Sequence, residues 1–585
     1  MNTKTTTDEN LLQEFPPVST EQWEQVIQKD LKGADYAKKL LWKTEDGLTI
    51  RPYYRREDLR GITFLDAAAG EFPYVRGNLA SGGWGVREEI EARNPEEANR
   101  LAREALAAGA EEITFQNNAP VTSRKDVVQL LEGLGDASVH FSQATPQLLQ
   151  LIAESGAPAN GSADFDPLTD LDCAEKLLSK VPASFRPFSI PVLALEEAGA
   201  TAAQQLGYGI AAGVDYLDGV TSRGIGVARA TAALSFSVGI GSSYFLEIAK
   251  LRALRLLWSR VVQSFGGKNG EGRTAIFART SRWNTTIYDP YVNVLRATTE
   301  AMSAALGGAE AVTIARFDEP YAKPTEASRR LARNTQIILK AEAQIARVAD
   351  AGGGSYYLET STDQLARKAW KIFQAVEAAG GFTRFKAEGK LQFELDKSRT
   401  ARESAVASRR RVLLGTNRYP NSKETALDRA DLARVFAVRR GARAYEELRL
   451  RTEQHVKQVG KNPLFLLAEI GDPRMRAARS GFAANFFGCA GFALATDRYQ
   501  SAEAIANAEA DVIVLCSSDA EYPAIVEQLM SALKGKGRNR PVVVAGNPES
   551  AEQLKAAGVV DFVHVRSNPI ETLSRWQRHF QIGQS

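Results

Sequence analysis

The sequence predicts an α/β protein: a (β/α)8 barrel followed by a doubly wound, flavodoxin-like α/β sheet domain. Three observations predict it. Eight short β-prone runs alternate with amphipathic helical stretches over roughly 300 residues, the usual span of such a barrel. Five further βα repeats fill about the last 125 residues, which suits an open parallel sheet. Polar, functional-looking residues sit just past the strand ends in both regions, where parallel α/β folds place their sites.

The first region is clearest between Ala278 and Gln336. A strand-like run over 275–278 precedes Asp289–Pro290, which suits a helix start with Asp as N-cap and Pro at the first helical position. Val294, Ala297, Ala301, Met302 and Ala305 recur at helical spacing, and Gly307–Gly308 end the helix. A second strand-like run, 311–314, leads into the polar loop Arg316–Phe317–Asp318–Glu319. The eight expected barrel strands are 84–87, 112–115, 138–141, 189–195, 234–240, 274–278, 311–314 and 355–358. Helices are expected over 95–108, 145–155 and 242–262. In the last, Ile248, Leu251, Leu254, Trp258 and Val261 form one apolar stripe, while Arg252, Arg255 and Ser259 face elsewhere.

Around this core lie three other regions. Ser19–Thr20–Glu21–Gln22 resembles a capping box ahead of Trp23, Val26 and Ile27, and the segment to Tyr54 reads as an extended arm with turns. Residues 384–461 are rich in Arg, Lys and Glu, with helices expected over 427–435 and 442–456. The triplet Arg409–Arg410–Arg411 there reads as a solvated helix face. The last repeats place strands at 464–468, 492–495, 511–516, 542–545 and 562–565. Their carboxyl ends carry Glu469–Ile470–Gly471–Asp472, Ser517–Ser518–Asp519 and Gly546–Asn547–Pro548. The expected domains are a subunit-contacting arm (1–55), the barrel (56–383), a helical connector (384–461) and the sheet domain (462–585).

Composition narrows the function. The chain has 585 residues, 44% hydrophobic and 24% charged, and its net charge of +3 is too small for a nucleic-acid binder. No run approaches the roughly 20 apolar residues of a membrane span. The N-terminus has neither a secretory apolar core nor an Arg-rich transit character, so a cytoplasmic protein is expected. Cys173, Cys489 and Cys516 lack metal or disulfide spacing and read as small buried residues. Histidines are scarce: His140, His455, His564 and His579. No P-loop, GxGxxG, HExxH or GxSxG occurs, so periodicity and composition define an architecture and no reaction.

An ordered series of motifs goes further. Glu247–Ile248–Ala249–Lys250–Leu251–Arg252 through Trp258 resembles a signature helix of the methylmalonyl-CoA mutase family. Asp289–Pro290–Tyr291, Asp318–Glu319, Pro324–Thr325, Ala332–Arg333–Asn334–Thr335–Gln336, Gly354–Ser355–Tyr356–Tyr357 and Glu377–Ala378–Ala379–Gly380–Gly381 continue it in the same order. Arg76–Gly77 and Trp84–Gly85–Val86–Arg87 match upstream, and Gly415–Thr416–Asn417–Arg418–Tyr419 matches the connector. The resemblance implies a CoA-binding barrel joined to a B12-binding sheet domain. It also implies a radical interconversion of methylmalonyl-CoA and succinyl-CoA with adenosylcobalamin.

The departures from that family then set the expectation for this chain. Catalytic members carry a cobalt-ligating His in a D-x-H-x-x-G loop; here Arg474, Arg476 and Arg479 stand at the Asp, His and Gly positions. A guanidinium offers cobalt no lone pair. Ser517–Ser518–Asp519 carries an Asp where an apolar contact is expected, and Ala545–Gly546–Asn547 has one Gly of the usual pair. In the barrel, Ala194 occupies the position of the family's substrate-facing His and cannot donate a hydrogen bond. The segment between Arg76–Gly77 and Trp84 holds no Tyr, and the loop after Arg279–Thr280 is short.

Other residues keep two readings. Arg279 fits a CoA-phosphate contact or a buried salt bridge; Asp318 and Glu319 fit acid–base work or loop hydrogen bonding. Tyr356 and Tyr357 read as barrel-wall packing, and His564 as a capping or surface residue. The chain is thus expected to contribute no catalytic, cofactor-binding or metal-binding residue. It is expected to be the small subunit of a heterodimer whose homologous large subunit binds adenosylcobalamin, with Phe15 and Trp23 of the arm contacting that partner. A divergent active acyl-CoA mutase and a CoA-ester-binding regulatory protein are the alternatives.

Overall fold

The computed structural model describes residues 16–116, 121–156, 160–268 and 270–583, and the chain forms two compact units, 1–60 and 61–585. Phe15 lies outside the described residues. Residues 16–60 of the first unit are folded rather than extended. Ser19 and Gln22 complete the expected capping box at the start of helix Thr20–Asp30, followed by a short helix, Tyr36–Leu40. Trp42–Lys43 and Thr49–Ile50 pair as an antiparallel hairpin. Trp23 stacks on Tyr53 with ring centroids 4.5 Å apart, and Glu24 accepts hydrogen bonds from the hydroxyls of Tyr53 (2.5 Å) and Tyr36 (3.2 Å). Burial and the Glu24 carboxylate push the Tyr53 phenol up to about 12.

In the second unit eight parallel strands close into a barrel: β1 (Gly85–Ile90), β2 (Glu112–Phe115), β3 (Ser138–Phe141), β4 (Gly161–Phe165), β5 (Phe185–Pro191), β6 (Leu234–Ile240), β7 (Ala275–Thr280) and β8 (Ala311–Thr313). β8 pairs with both β7 and β1 and so closes the ring. Three expectations are corrected. Residues 355–358 form no strand, because Ser355 caps helix Tyr356–Ala378 by accepting from the Leu358 amide. The missing strand is β4, whose Gly161, Ser162 and Asp164 mask its β character in sequence. The strand expected over 189–195 ends at Pro191, and the chain turns directly into helix Val192–Glu197. Nor does Asp289 cap a helix: it holds a positive φ of 48°, and the helix runs Val292–Leu306.

Helix Tyr244–Ser264 is buried on every side, so Arg252 and Arg255 face away from the apolar stripe without reaching water. Arg252 pairs with Asp350 and, at 2.5 Å, with Glu359; Arg76 meets the same carboxylates at 2.9 and 3.0 Å. Arg255 donates to the carbonyls of Gly307 (2.5 Å), Tyr74 (2.9 Å) and Gly308 (2.9 Å). A guanidinium has five N–H groups and no acceptor, so such burial is tolerated only when carbonyls or carboxylates surround it.

The C-terminal sheet is parallel and five-stranded: β9 (Leu464–Glu469), β10 (Ala493–Arg498), β11 (Val512–Cys516), β12 (Val542–Ala545) and β13 (Val559–Val563). The order β10-β9-β11-β12-β13 is the flavodoxin-like one. Alternate residues feed two cores. Phe465, Leu467, Val514 and Val543 face helices Pro473–Gly488 and Pro569–His579, while Leu466, Ile513 and Val544 face Ala502–Asn507 and Tyr522–Gly535. The first core takes in Trp283 from the barrel and Leu413 and Tyr445 from the connector, so barrel and sheet share apolar packing. Gly441 lets the backbone approach that indole: a Cβ there would lie 2.7 Å from it.

The basic triplet is not a helix face. Helix Lys390–Ala407 ends before it, Arg409 adopts a left-handed φ of 60°, and Arg411 lies over the Trp283 ring at 4.4 Å. Cys489 and Cys516 are buried and Cys173 is half-buried; all three are free thiols. No described helix is long and apolar enough to cross a membrane.

Replacing Arg252 by Ala strands Asp350 and Glu359 in the interior with Arg76 as their remaining guanidinium. The expected loss is about 3–5 kcal/mol of unfolding free energy, read as a lower denaturation midpoint. A loss below about 1 kcal/mol, the range of exposed pairs, would contradict this role.

Candidate functional site

Barrel enzymes place their chemistry at the carboxyl ends of the strands. Here that end holds a cavity of about 360 Å³, lined by Glu89 and Glu91 at the end of β1, Gln116, Gln143, Arg282, Arg316 and Glu319 from the loops, and Arg434 and Arg440 from the connector. Its charges are already satisfied. Arg279, at the end of β7, donates Nε and Nη2 to the two oxygens of Glu89, both at 2.9 Å, and Nη2 also reaches Glu319 at 2.8 Å. Arg282 donates Nε to Glu319 at 2.8 Å and Nη1 to Glu197 at 3.3 Å. Arg434 pairs with Glu91, and Arg316 with Asp318 at 2.5 Å.

Protonation follows from this geometry. Burial pushes the Glu319 carboxyl up, but Arg279, Arg282 and Arg316 outweigh it and hold the group well below the ordinary carboxylate range. Burial alone would lower Arg279; Glu319 and Glu89 instead hold it far above its usual value. Asp318 is raised by burial, against the pull of Arg316. Glu319 is thus a structural partner charged at neutral pH, and Arg279 resolves as a buried ion pair rather than a free phosphate clamp.

The lumen below is filled. Arg87 of β1 pairs with Glu112 of β2 at 2.6 Å and lies over the Phe277 ring of β7 at 4.1 Å. His140 of β3 packs its ring 5.7 Å from Phe277 and bonds Ser162 at 2.9 Å. β3 and β7 stand on opposite sides of the barrel, so their side chains meet only through its centre. Burial, aided by Arg87, lowers the His140 pKa well below its usual value, which leaves the ring neutral.

The remaining expected residues do not line this cavity. Ala194 is exposed on helix Val192–Glu197. Tyr356 and Tyr357 are not barrel wall: they open helix Tyr356–Ala378, where Tyr356 is exposed and Tyr357 packs edge-on against Phe245. Asn78, in the short segment after Arg76–Gly77, donates to the Thr274 carbonyl at 2.6 Å, at the amino-terminal rim of β7. His564 organises a turn, with Nδ1 accepting from the Arg566 amide at 3.2 Å.

The carboxyl end of the C-terminal sheet is tied to itself. Arg476 donates to the Gly471 carbonyl at 3.1 Å. Arg479 pairs with Asp519 at 2.9 Å, and both crowd Gly546, where a Cβ would lie 3.1 Å from the guanidinium and 3.2 Å from the carboxylate. Glu521 accepts from the hydroxyls of Ser518 (2.6 Å) and Ser517 (2.7 Å) and from the Asp472 amide (3.0 Å), which holds it down to about 2. Two of the three loops that would grip a cobalamin are thus bound to one another, the third lies against their ion pair, and the side chain at the cobalt-ligand position has no lone pair. These residues do not fit the cofactor.

Sequence reading missed Glu89, Glu91, Glu197, Arg282 and Arg434. The signal was present: Arg87–Glu88–Glu89 places charge within a barrel strand, where apolar residues are usual. Among the described residues no cluster of His, Cys, Asp or Glu could hold a metal ion.

Fold and site together define a class: a parallel (β/α)8 barrel with a flavodoxin-like sheet domain, its charged groups paired within the chain at the carboxyl ends of both sets of strands. A family profile described as methylmalonyl-CoA mutase matches residues 43–134 and 171–471. The chain is 37% identical to a methylmalonyl-CoA mutase small subunit of Porphyromonas gingivalis, across 98% of this chain and 99% of that one. It is 34% identical to the small subunit of Streptomyces virginiae, across 93% and 94%. Against the large subunit of Streptomyces virginiae it is 30% identical, across 71% of this chain and 64% of that one. The chain belongs to the methylmalonyl-CoA mutase family.

Glu319 also sets a pH dependence. Its folded pKa lies below the unfolded value near 4.5, so its contribution to stability is full above that pH and disappears as pH falls through and below it. Arg279→Gln should cost about 3 kcal/mol at neutral pH, and the gap from the parent protein should narrow progressively in acid. Denaturation curves at several pH values measure this; a gap constant with pH would refute it.

Proposed function

We propose that this chain is the non-catalytic small subunit of a cytoplasmic, adenosylcobalamin-dependent methylmalonyl-CoA mutase. A homologous large subunit carries the cobalamin and interconverts methylmalonyl-CoA and succinyl-CoA. One observation carries the reading: the positions where catalysis would sit are spent on internal ion pairs, Arg279 with Glu89 and Glu319 in the barrel, Arg479 with Asp519 in the sheet domain. Adenosylcobalamin would supply the radical, and no residue here is arranged to hold it. What the chain retains is a folded barrel and a degenerate cofactor domain (462–585), enough to form a pseudo-two-fold contact with a homologue. Residues 1–55 supply a further contact, with Trp23 in its helix. Similarity to named small subunits over nearly the whole chain supports the same reading.

Native mass spectrometry of the tagged chain from its own cells should give a one-to-one complex with a larger chain and a single cobalamin. A lone chain or homodimer carrying cobalamin, with isomerase activity, would overturn the reading. Arg476→His should leave cobalamin content unchanged, because Arg479 and Asp519 still hold the loops together; a second cobalamin per complex would contradict this. Deleting residues before Leu40 should lower the yield of complex in co-expression while the truncated chain stays folded; an unchanged yield would remove the role given to the arm.

A further inference from the structure

The basic triplet has no part in the reading above, yet the fold gives it a defined setting. Ser408–Arg410, Arg418–Tyr419, one face of helix Pro473–Gly488 and the turn after β13 enclose a groove of about 630 Å³. Its lining holds Arg409, Arg410, Arg418 and His564 and no carboxylate. Among the described residues no acid pairs with any of these three arginines, in contrast to the barrel mouth, where Arg279, Arg282, Arg316 and Arg434 each hold one. Arg410 spends only Nε, on the Ser408 hydroxyl at 3.1 Å. With Nδ1 of His564 accepting from the Arg566 amide, Nε2 carries the proton and is a donor. Burial first, then Arg566 and Arg479, lower the His564 pKa against the opposing pull of Asp561.

Apolar and aromatic surface completes the groove. Arg409 lies over Phe482 at 5.6 Å and Arg418 over Tyr419 at 5.3 Å. Tyr419 is 59% exposed, and Ala477, Ala478, Gly481 and Phe486 line the helix side. Unpaired guanidiniums call for a multiply charged oxyanion, and an exposed ring beside an apolar wall calls for a flat partner. The volume falls within the range of small-molecule sites and exceeds what a bare phosphate needs. The chain's small net charge and the confinement of these arginines to one groove argue against a nucleic acid.

We propose that this groove binds a nucleoside polyphosphate, its phosphates held by Arg410 and Arg418 and its base set against Tyr419. The site lies outside the barrel and is independent of the subunit reading.

Titration of the purified full-length chain with ADP, adenosine and pyrophosphate tests it. ADP should bind saturably and more weakly as salt rises, with adenosine at least about tenfold weaker. R410E/R418E should lose at least about tenfold in ADP affinity with an unchanged melting temperature. Tyr419→Ala should weaken ADP and leave pyrophosphate unaffected. No saturable ADP binding, or undiminished binding by R410E/R418E, would overturn the proposal. So would a wild-type chain that ignores ADP while R410E/R418E lowers recovery of the complex with the large subunit, since the groove would then be a protein contact.

Discussion

The fork of Arg279 onto Glu89 decides what this barrel is. β8, the strand that closes the ring, is three residues long and offers β1 only three paired positions. Arg279 reaches across it from β7 to Glu89 on β1 and also holds Glu319, just beyond β8. One side chain thus fastens both sides of this short closing strand. Bidentate guanidinium–carboxylate pairs are directional and strong where water is scarce, and leaving either member alone there is costly. The seam and the site compete for the same groups. A carboxylate held ionised by several arginines cannot shuttle protons, and an arginine occupied by two glutamates cannot receive a phosphate.

The same economy recurs above the barrel. Arg479, Asp519 and Glu521 link the loops at the carboxyl end of the C-terminal sheet, where open α/β folds keep a crevice for ligands. At both places charged side chains pair within the chain, while barrel and sheet share apolar packing. Trp283 enters the sheet domain's core, with the guanidiniums of Arg402 and Arg411 over its ring at 4.3 and 4.4 Å and Gly441 leaving room for it.

Much of this was legible in the sequence for local reasons. β2, β3, β6 and β12 were placed to the residue, because apolar runs bounded by turns leave little choice. The capping box at Ser19 was legible because it needs only residues three apart. β4 was not, since Gly161, Ser162 and Asp164 give it no apolar signature and burial within the barrel alone makes it a strand. The Ser355–Tyr356–Tyr357 run has β propensity, but the Ser355 cap and tertiary burial make it a helix start.

By itself the sequence determined the α/β architecture, a barrel followed by a further parallel sheet, and the side chains that stand at the family's motif positions: Ala194, Arg476 and Arg479. Both follow from residue type and short-range order, which the chain carries everywhere. Only the tertiary structure decided which groups the buried arginines meet. The partners of Arg279 lie 190 and 40 residues away, and those of Arg252 lie about 100 away. No local pattern encodes such pairings, because ion pairs form where folding brings opposite charges together out of water.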